Sequence, residues 1–243
     1  MVWFSKLFAG QNAQALHLTS RQLQRLAAWQ TLPAPALSRS HYRSRYVLID
    51  IAIAGGDWKD GPLGSIGALA LTDGLIDLSA ALQLPMVDAA AATDAAGRPL
   101  AEAEQLSLTP TPISGEQRGE ALLALLDFVG KAPLVAYHAS FVARRIERVL
   151  AETLGVELDL PWIDLAWVMA GLFRELGDKQ ARLDTWLEHF GVPSIERHNP
   201  VSDAYATAQL LQLTLARAAQ KGFETPASLI KIEKARRHLY PSA

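Results

Sequence analysis

The chain has 243 residues, 50% of them hydrophobic and 20% charged, with a net charge of −2. This suits a folded domain with a full core plus an extension, and the absence of cysteine excludes disulfides, thiolate metal sites and cysteine nucleophiles. The small negative charge gives no bulk support for gripping long nucleic acid, and no apolar run is long enough to span a membrane.

In chain order, the apolar start Met1–Gly10 is followed by polar Gln11 and Asn12. It is too short for a signal peptide and predicts an amphipathic start packed on the domain or a partner. Ser20 is placed as the cap of a helix over Arg21–Gln30, with Leu23, Leu26 and Trp29 at helical spacing, ended by Pro33 and Pro35. Tyr46–Ala52 reads as a strand, Ser65–Leu71 as a second, and Leu75–Leu78 as a third after the hairpin signal Asp73-Gly74. Pro85–Arg98 reads as a loop and Ala103–Leu108 as a short strand. After Thr109–Pro112 the pattern turns helical. Ser114 caps Gly115–Val129, with Leu122, Leu125, Leu126 and Val129 on one face. Pro133–Tyr137 is a short buried strand. Ser140 is placed as the cap of the next helix, with Phe141, Ile146, Val149 and Leu150 inward. Asp164–Phe173, Arg182–Phe190 (stopped by Gly191), Pro200–Gln220 and Pro226–His238 complete the series. Three antiparallel strands followed by helix, strand and helices predict an α/β fold, a mixed sheet flanked by helices. The organisation expected is a helical extension over 1–44, a main domain over 45–220 and a C-terminal helix over 221–243. A cytoplasmic location fits the cysteine-free composition.

Two local basic clusters stand out: Arg144, Arg145 and Arg148, and Lys231, Lys234, Arg236 and Arg237. Each reads as a solvated helix face or as a small phosphate contact. Asp50 closes the apolar run Tyr46, Val47, Leu48, Ile49. A carboxylate at a strand end in that setting reads as a metal ligand or, more blandly, as a strand-end aspartate. The position two residues on, on the same face, is Ala52.

The motifs over about 45–220 resemble those of the DEDDh 3′–5′ exonucleases, a ribonuclease H-like family that includes the proofreading epsilon subunit of DNA polymerase III. Asp50, Gly55, Ser65, Ile66 and Gly67 match the first motif and the strand after it. Tyr137, His138, Ala139, Ser140, Phe141 and Val142 stand where the family has its second, a strand-to-helix motif. His198 and Asp203, five residues apart at a helix start, match the third. The resemblance implies an antiparallel three-strand meander plus parallel strands flanked by helices. It also implies hydrolysis by water attack on a terminal phosphodiester, with two Mg²⁺ or Mn²⁺ ions held by four carboxylates and a histidine base.

This sequence departs from that pattern twice. Ala52 stands in place of a Glu and Val142 in place of an Asp, leaving Asp50 and Asp203 as metal ligands and His198 as the base. A unit-charge pair at about 4 Å is worth roughly 4 kcal/mol at an effective dielectric near 20, and a dication doubles that. Losing two anionic ligands therefore costs at least one ion its site, and at most one weakly held Mg²⁺ or Mn²⁺ is expected. No other acid replaces the missing two. Asp57 reads as a turn residue. Glu147 lies about 500° around the helix from Val142, and Asp164 reads as a helix cap. Flanking drift, Ile53 and Ala54 where the family has Thr-Thr, argues that the changes are natural. His138, Arg144 and Arg145 are the candidate contacts to a phosphate. Three readings follow: a degenerate exonuclease domain that binds nucleotides, single-stranded nucleic acid or its 3′ ends, or serves a protein partner; an active exonuclease using Asp50, His198 and Asp203; or a protein-interaction scaffold without nucleic acid.

Overall fold

The structure, a computed structural model, describes residues 18–54, 61–87, 112–176 and 182–239. The apolar start, Gly55, Asp57 and the strand expected over Ala103–Leu108 lie outside the described residues. The first helix, α1 (Ser20–Gln30), is capped by Thr19 rather than Ser20. Thr19 and Gln22 form a reciprocal capping box, so each satisfies a backbone N–H at the helix start.

Strands β1 (Arg45–Ile53), β2 (Leu63–Thr72) and β3 (Leu75–Pro85) form the expected antiparallel meander. The turn between β2 and β3 puts Asp73 at φ 55° and Gly74 at φ 82°, as an Asp-Gly hairpin requires. The third strand is longer than its sequence suggests, because a register irregularity opposite Ala68–Ala70 lets pairing resume through Pro85. Helix α2 (Gly115–Val129) follows, capped by Ser114 as expected. Next come β4 (Leu134–Ala136), α3 (Ala139–Leu154), β5 (Trp162–Asp164) and α4 (Leu165–Leu172). Three more helices close the chain: α5 (Leu183–Phe190), α6 (Pro200–Gln220) and α7 (Pro226–Leu239).

The sheet order is β3-β2-β1-β4-β5, with β4 parallel to both β1 and β5. Strand β5 is hidden in the sequence by its three-residue length and its fusion to α4. Its Asp164 ends the strand and caps the helix at once, accepting the Ala166 N–H at 3.2 Å. Ser140 does not cap α3: that position is His138, held in the left-handed region at φ 59°, and Ser140 lies within the first turn.

Two apolar cores sandwich the sheet. Val47 and Ile49 of β1 pack on one face with α1, α2 and α3, and Tyr46 and Leu48 pack on the other with α4, α5 and α6. The strand period of two therefore assigns Asp50 and Ala52 to the second face, beside α6. Gly67, paired with Asp50 across β1–β2, is required here: a Cβ on it would sit 2.3 Å from the Pro200 carbonyl carbon. Only a glycine lets the start of α6 come down onto the sheet and set Asp203 next to Asp50. Among the described residues no helix is long and apolar enough to cross a membrane.

Candidate functional site

The third motif is built by a tight turn into α6. His198 takes a left-handed conformation at φ 68°, and Asn199 caps the helix by accepting the N–H groups of Val201 and Ser202. Pro200 occupies the first turn, where its missing N–H costs nothing. Asp203, also in the first turn, curls back so that Oδ2 accepts the His198 N–H at 3.0 Å. Its other oxygen, Oδ1, accepts from Nη1 of Arg197 in an ion pair. The same guanidinium reaches Asp184 at the start of α5, Nε to Oδ1 at 2.8 Å. One arginine thus bridges carboxylates from two helices.

Asp50 faces this cluster from β1. Burial pushes its carboxyl up to about 7, helped by the neighbouring negative charge of Asp203. The Ile51 N–H and the Arg197 charge act the other way, without reversing the effect. Asp50 and Asp203 are therefore brought together as the sequence implied. The His198 ring is exposed to solvent, and it is the His198 backbone, not its side chain, that contacts Asp203. Val142 is 2% exposed and packs in the same apolar cluster as Val47, Ile49, Ala136 and Ile146. It is core on the side of the sheet away from Asp50, not the lining of an open cleft.

The second motif is fastened from elsewhere. Asp164 is buried, and its Oδ1 accepts the His138 N–H at 3.1 Å as well as that of Ala166. Its Oδ2 pairs with Nη2 of Arg237 at 3.0 Å. Glu233 accepts the Asp164 backbone N–H at 2.9 Å and shares the Arg237 guanidinium, also at 3.0 Å. Arg237 further donates to the Ser140 hydroxyl at 2.8 Å. Burial raises both the Asp164 and Glu233 carboxyls, with Arg237 opposing. Arg236 is 5% exposed. The Lys231–Arg237 cluster is thus not one solvated basic face: two of its four members turn inward.

Of the candidate phosphate contacts, His138 is exposed at the turn into α3, with its ring edge-on to Tyr137. Arg144 is exposed and donates to the Ser140 carbonyl at 3.1 Å. Arg145 donates to the Gly61 carbonyl at 3.0 Å and lies over the Phe141 ring. It ties α3 to the residues just before β2. Sequence reading missed Arg197 and Asp184. Arg197 adjoins His198 in the chain, but its importance comes from α5, which only the fold delivers.

The donor set does not suit the two dications that the motif resemblance implies. The Asp203 oxygens are both engaged by protein donors, a guanidinium stands beside Asp50, and the same-face neighbour of Asp50 is Ala52. Among the described residues no group of three or more His, Asp or Glu side chains is arranged to hold a metal ion.

No protein-family model matches the sequence. The chain is 28% identical over 192 residues to the PolC-type DNA polymerase III of Clostridium perfringens, an alignment spanning 77% of this chain but 12% of that protein. Among solved structures it is similar to exonuclease X in complex with 5′-overhanging duplex DNA, with a TM-score of 0.50 and 18% identity over 77% of this chain and 99% of that one. It is likewise similar to E. coli exonuclease I in complex with a dT13 oligonucleotide, with a TM-score of 0.54 and 14% identity over 73% of this chain and 42% of that one. At these identities the structural likeness is one of fold.

Proposed function

For a chain that carries the DEDD-type 3′–5′ exonuclease fold, we propose a module that binds nucleotides or the 3′ ends of single-stranded nucleic acid without cleaving them. The observation that carries this reading is the state of Asp203. In a two-metal hydrolase, such a carboxylate must turn its lone pairs to the ions. Here both oxygens are committed to Arg197 and to the His198 N–H. With Ala52 rather than an acid beside Asp50 on the same strand face, the cleft also repels a phosphate less than a four-carboxylate site would. Two solved structures of similar fold, exonuclease X and exonuclease I, were determined in complex with DNA, which supports a nucleic-acid ligand. The exposed His138 and Arg144, together with Arg145, are the proposed contacts to the terminal phosphates.

The test uses a single-stranded oligonucleotide labelled at its 5′ end. Anisotropy should report the same affinity in EDTA as in Mg²⁺ or Mn²⁺, and gels should show no shortening. Shortening in Mn²⁺ that Asp50→Ala or Asp203→Ala abolishes would instead establish an active exonuclease working through Asp50, His198 and Asp203. A protein-partner role has its own support: Leu75 and Leu78 of the edge strand β3 are 72% and 62% exposed. Lack of any oligonucleotide binding would favour that role.

A further inference from the structure

We infer that Arg197 is an internal replacement for the metal ion: its guanidinium supplies, from the chain itself, the positive charge that holds the carboxylates of this cleft together. The inference rests on the non-cleaving reading above and assigns a residue to it. Three carboxylates from three separate elements converge here, Asp50 from β1, Asp184 from α5 and Asp203 from α6. Left alone they repel. Arg197 addresses two of them through two different nitrogens, Nε to Asp184 and Nη1 to Asp203, and its charge acts on Asp50 as well. A planar, permanently charged fork suits that task better than a lysine, which offers a single point of charge.

The arrangement differs from an ordinary surface pair. The Asp203 side chain is only 9% exposed and that of Arg197 33%, so the pair is well shielded from screening. Arg197 also immediately precedes the His198 turn, and Asp203 accepts the His198 N–H. The cation is thus built into the same turn that presents the carboxylate. A divalent ion entering between Asp50 and Asp203 would meet a fixed positive charge and find the Asp203 oxygens already hydrogen-bonded. Arg197 therefore both substitutes for the ion and excludes it.

The experiment measures Mn²⁺ binding by electron paramagnetic resonance and thermal stability in EDTA and in millimolar Mn²⁺. The samples are the wild-type chain, Arg197→Ala and Arg197→Lys. The wild type is expected to bind no Mn²⁺ and to show an unchanged Tm. Arg197→Ala should lose stability in EDTA, bind Mn²⁺ at millimolar concentrations where the wild type binds none, and recover part of its Tm with the ion. Arg197→Lys should lie between them and stay folded should the alanine variant fail to fold. Mn²⁺ bound by the wild type, with a matching rise in Tm, would overturn the inference. So would substituted chains that neither lose stability nor gain Mn²⁺ affinity. Those two outcomes leave the oligonucleotide experiment untouched, and cleavage by the wild type would sink the functional reading separately.

Discussion

Arg237 and Arg197 each bridge two carboxylates, one at the β5 edge of the sheet and the other beside the end of β1. Around Arg237 both carboxylates are met by backbone donors as well as by the guanidinium, whose Nε is buried without a hydrogen-bond partner. Asp164 accepts from two backbone N–H groups and the guanidinium, while Glu233 accepts a third backbone N–H and the same guanidinium. These bonds join α7 to β5 and to the turn that presents His138. Around Arg197 a third carboxylate, Asp50, stands next to the bridged pair and is raised by burial and by Asp203. The first cluster serves architecture, and its charges are matched by donors. The second sets three carboxylates against one guanidinium, the imbalance on which the proposed role of Arg197 rests.

The comparison predicts where substitutions hurt most. Arg237→Met leaves Asp164 and Glu233 buried side by side without a counter-charge. It should cost about 3 kcal/mol in urea unfolding, because removing one partner of a buried network strands the other. A loss no larger than that of Arg197→Met would erase the distinction drawn between the clusters.

Asp50→Asn should act in the opposite direction. A carboxyl whose folded pKa is raised to about 7 from an ordinary 3.8 holds its proton more tightly in the native state. Its stabilising contribution is full below the ordinary carboxylate range and is lost as pH rises through 7. The asparagine variant should therefore exceed the wild type by on the order of 1–2 kcal/mol at pH 8, after solvent screening, and show little advantage at pH 4. Thermal melts across that range check the sign. A variant less stable than the wild type at pH 8 would mean that Asp50 is held ionised by its neighbours.

The smallest effect belongs to Asp184→Asn. Its side chain is 54% exposed, and Arg197 keeps Asp203 without it, so the loss should stay below about 1 kcal/mol and shrink further in high salt.

Much of the fold was legible because local chemistry writes it plainly. Ser114 and Gln117 form a capping box at the start of α2, Asp73-Gly74 adopts the conformation its hairpin needs, and Gly191 closes α5 at φ 63°. The errors were also local. Thr19 won over Ser20 because it has Gln22 three residues on to complete the box. Three-residue β5 carries too few side chains to show a period. At the site, the sequence pattern named Asp50, His198 and Asp203, which the fold brings to one cleft, and Gly67 was noticed without its cause. That cause is the Pro200 backbone, 133 positions away along the chain.

Sequence alone determined that Asp50 follows an apolar run in a strand, that positions 52 and 142 carry no carboxylate, and that Asp203 begins a helix. Periodicity, capping and motif spacing are properties of neighbouring residues, so they can be read in order. Tertiary structure decided what those residues face. Asp164 meets Arg237 across 73 positions and Glu233 across 69. Arg197 meets Asp184 only because α5 and the turn before α6 pack side by side. The charge of a cleft is a sum over elements distant in the chain. A motif can therefore name the carboxylates, while only the packed fold reveals the cation that answers them.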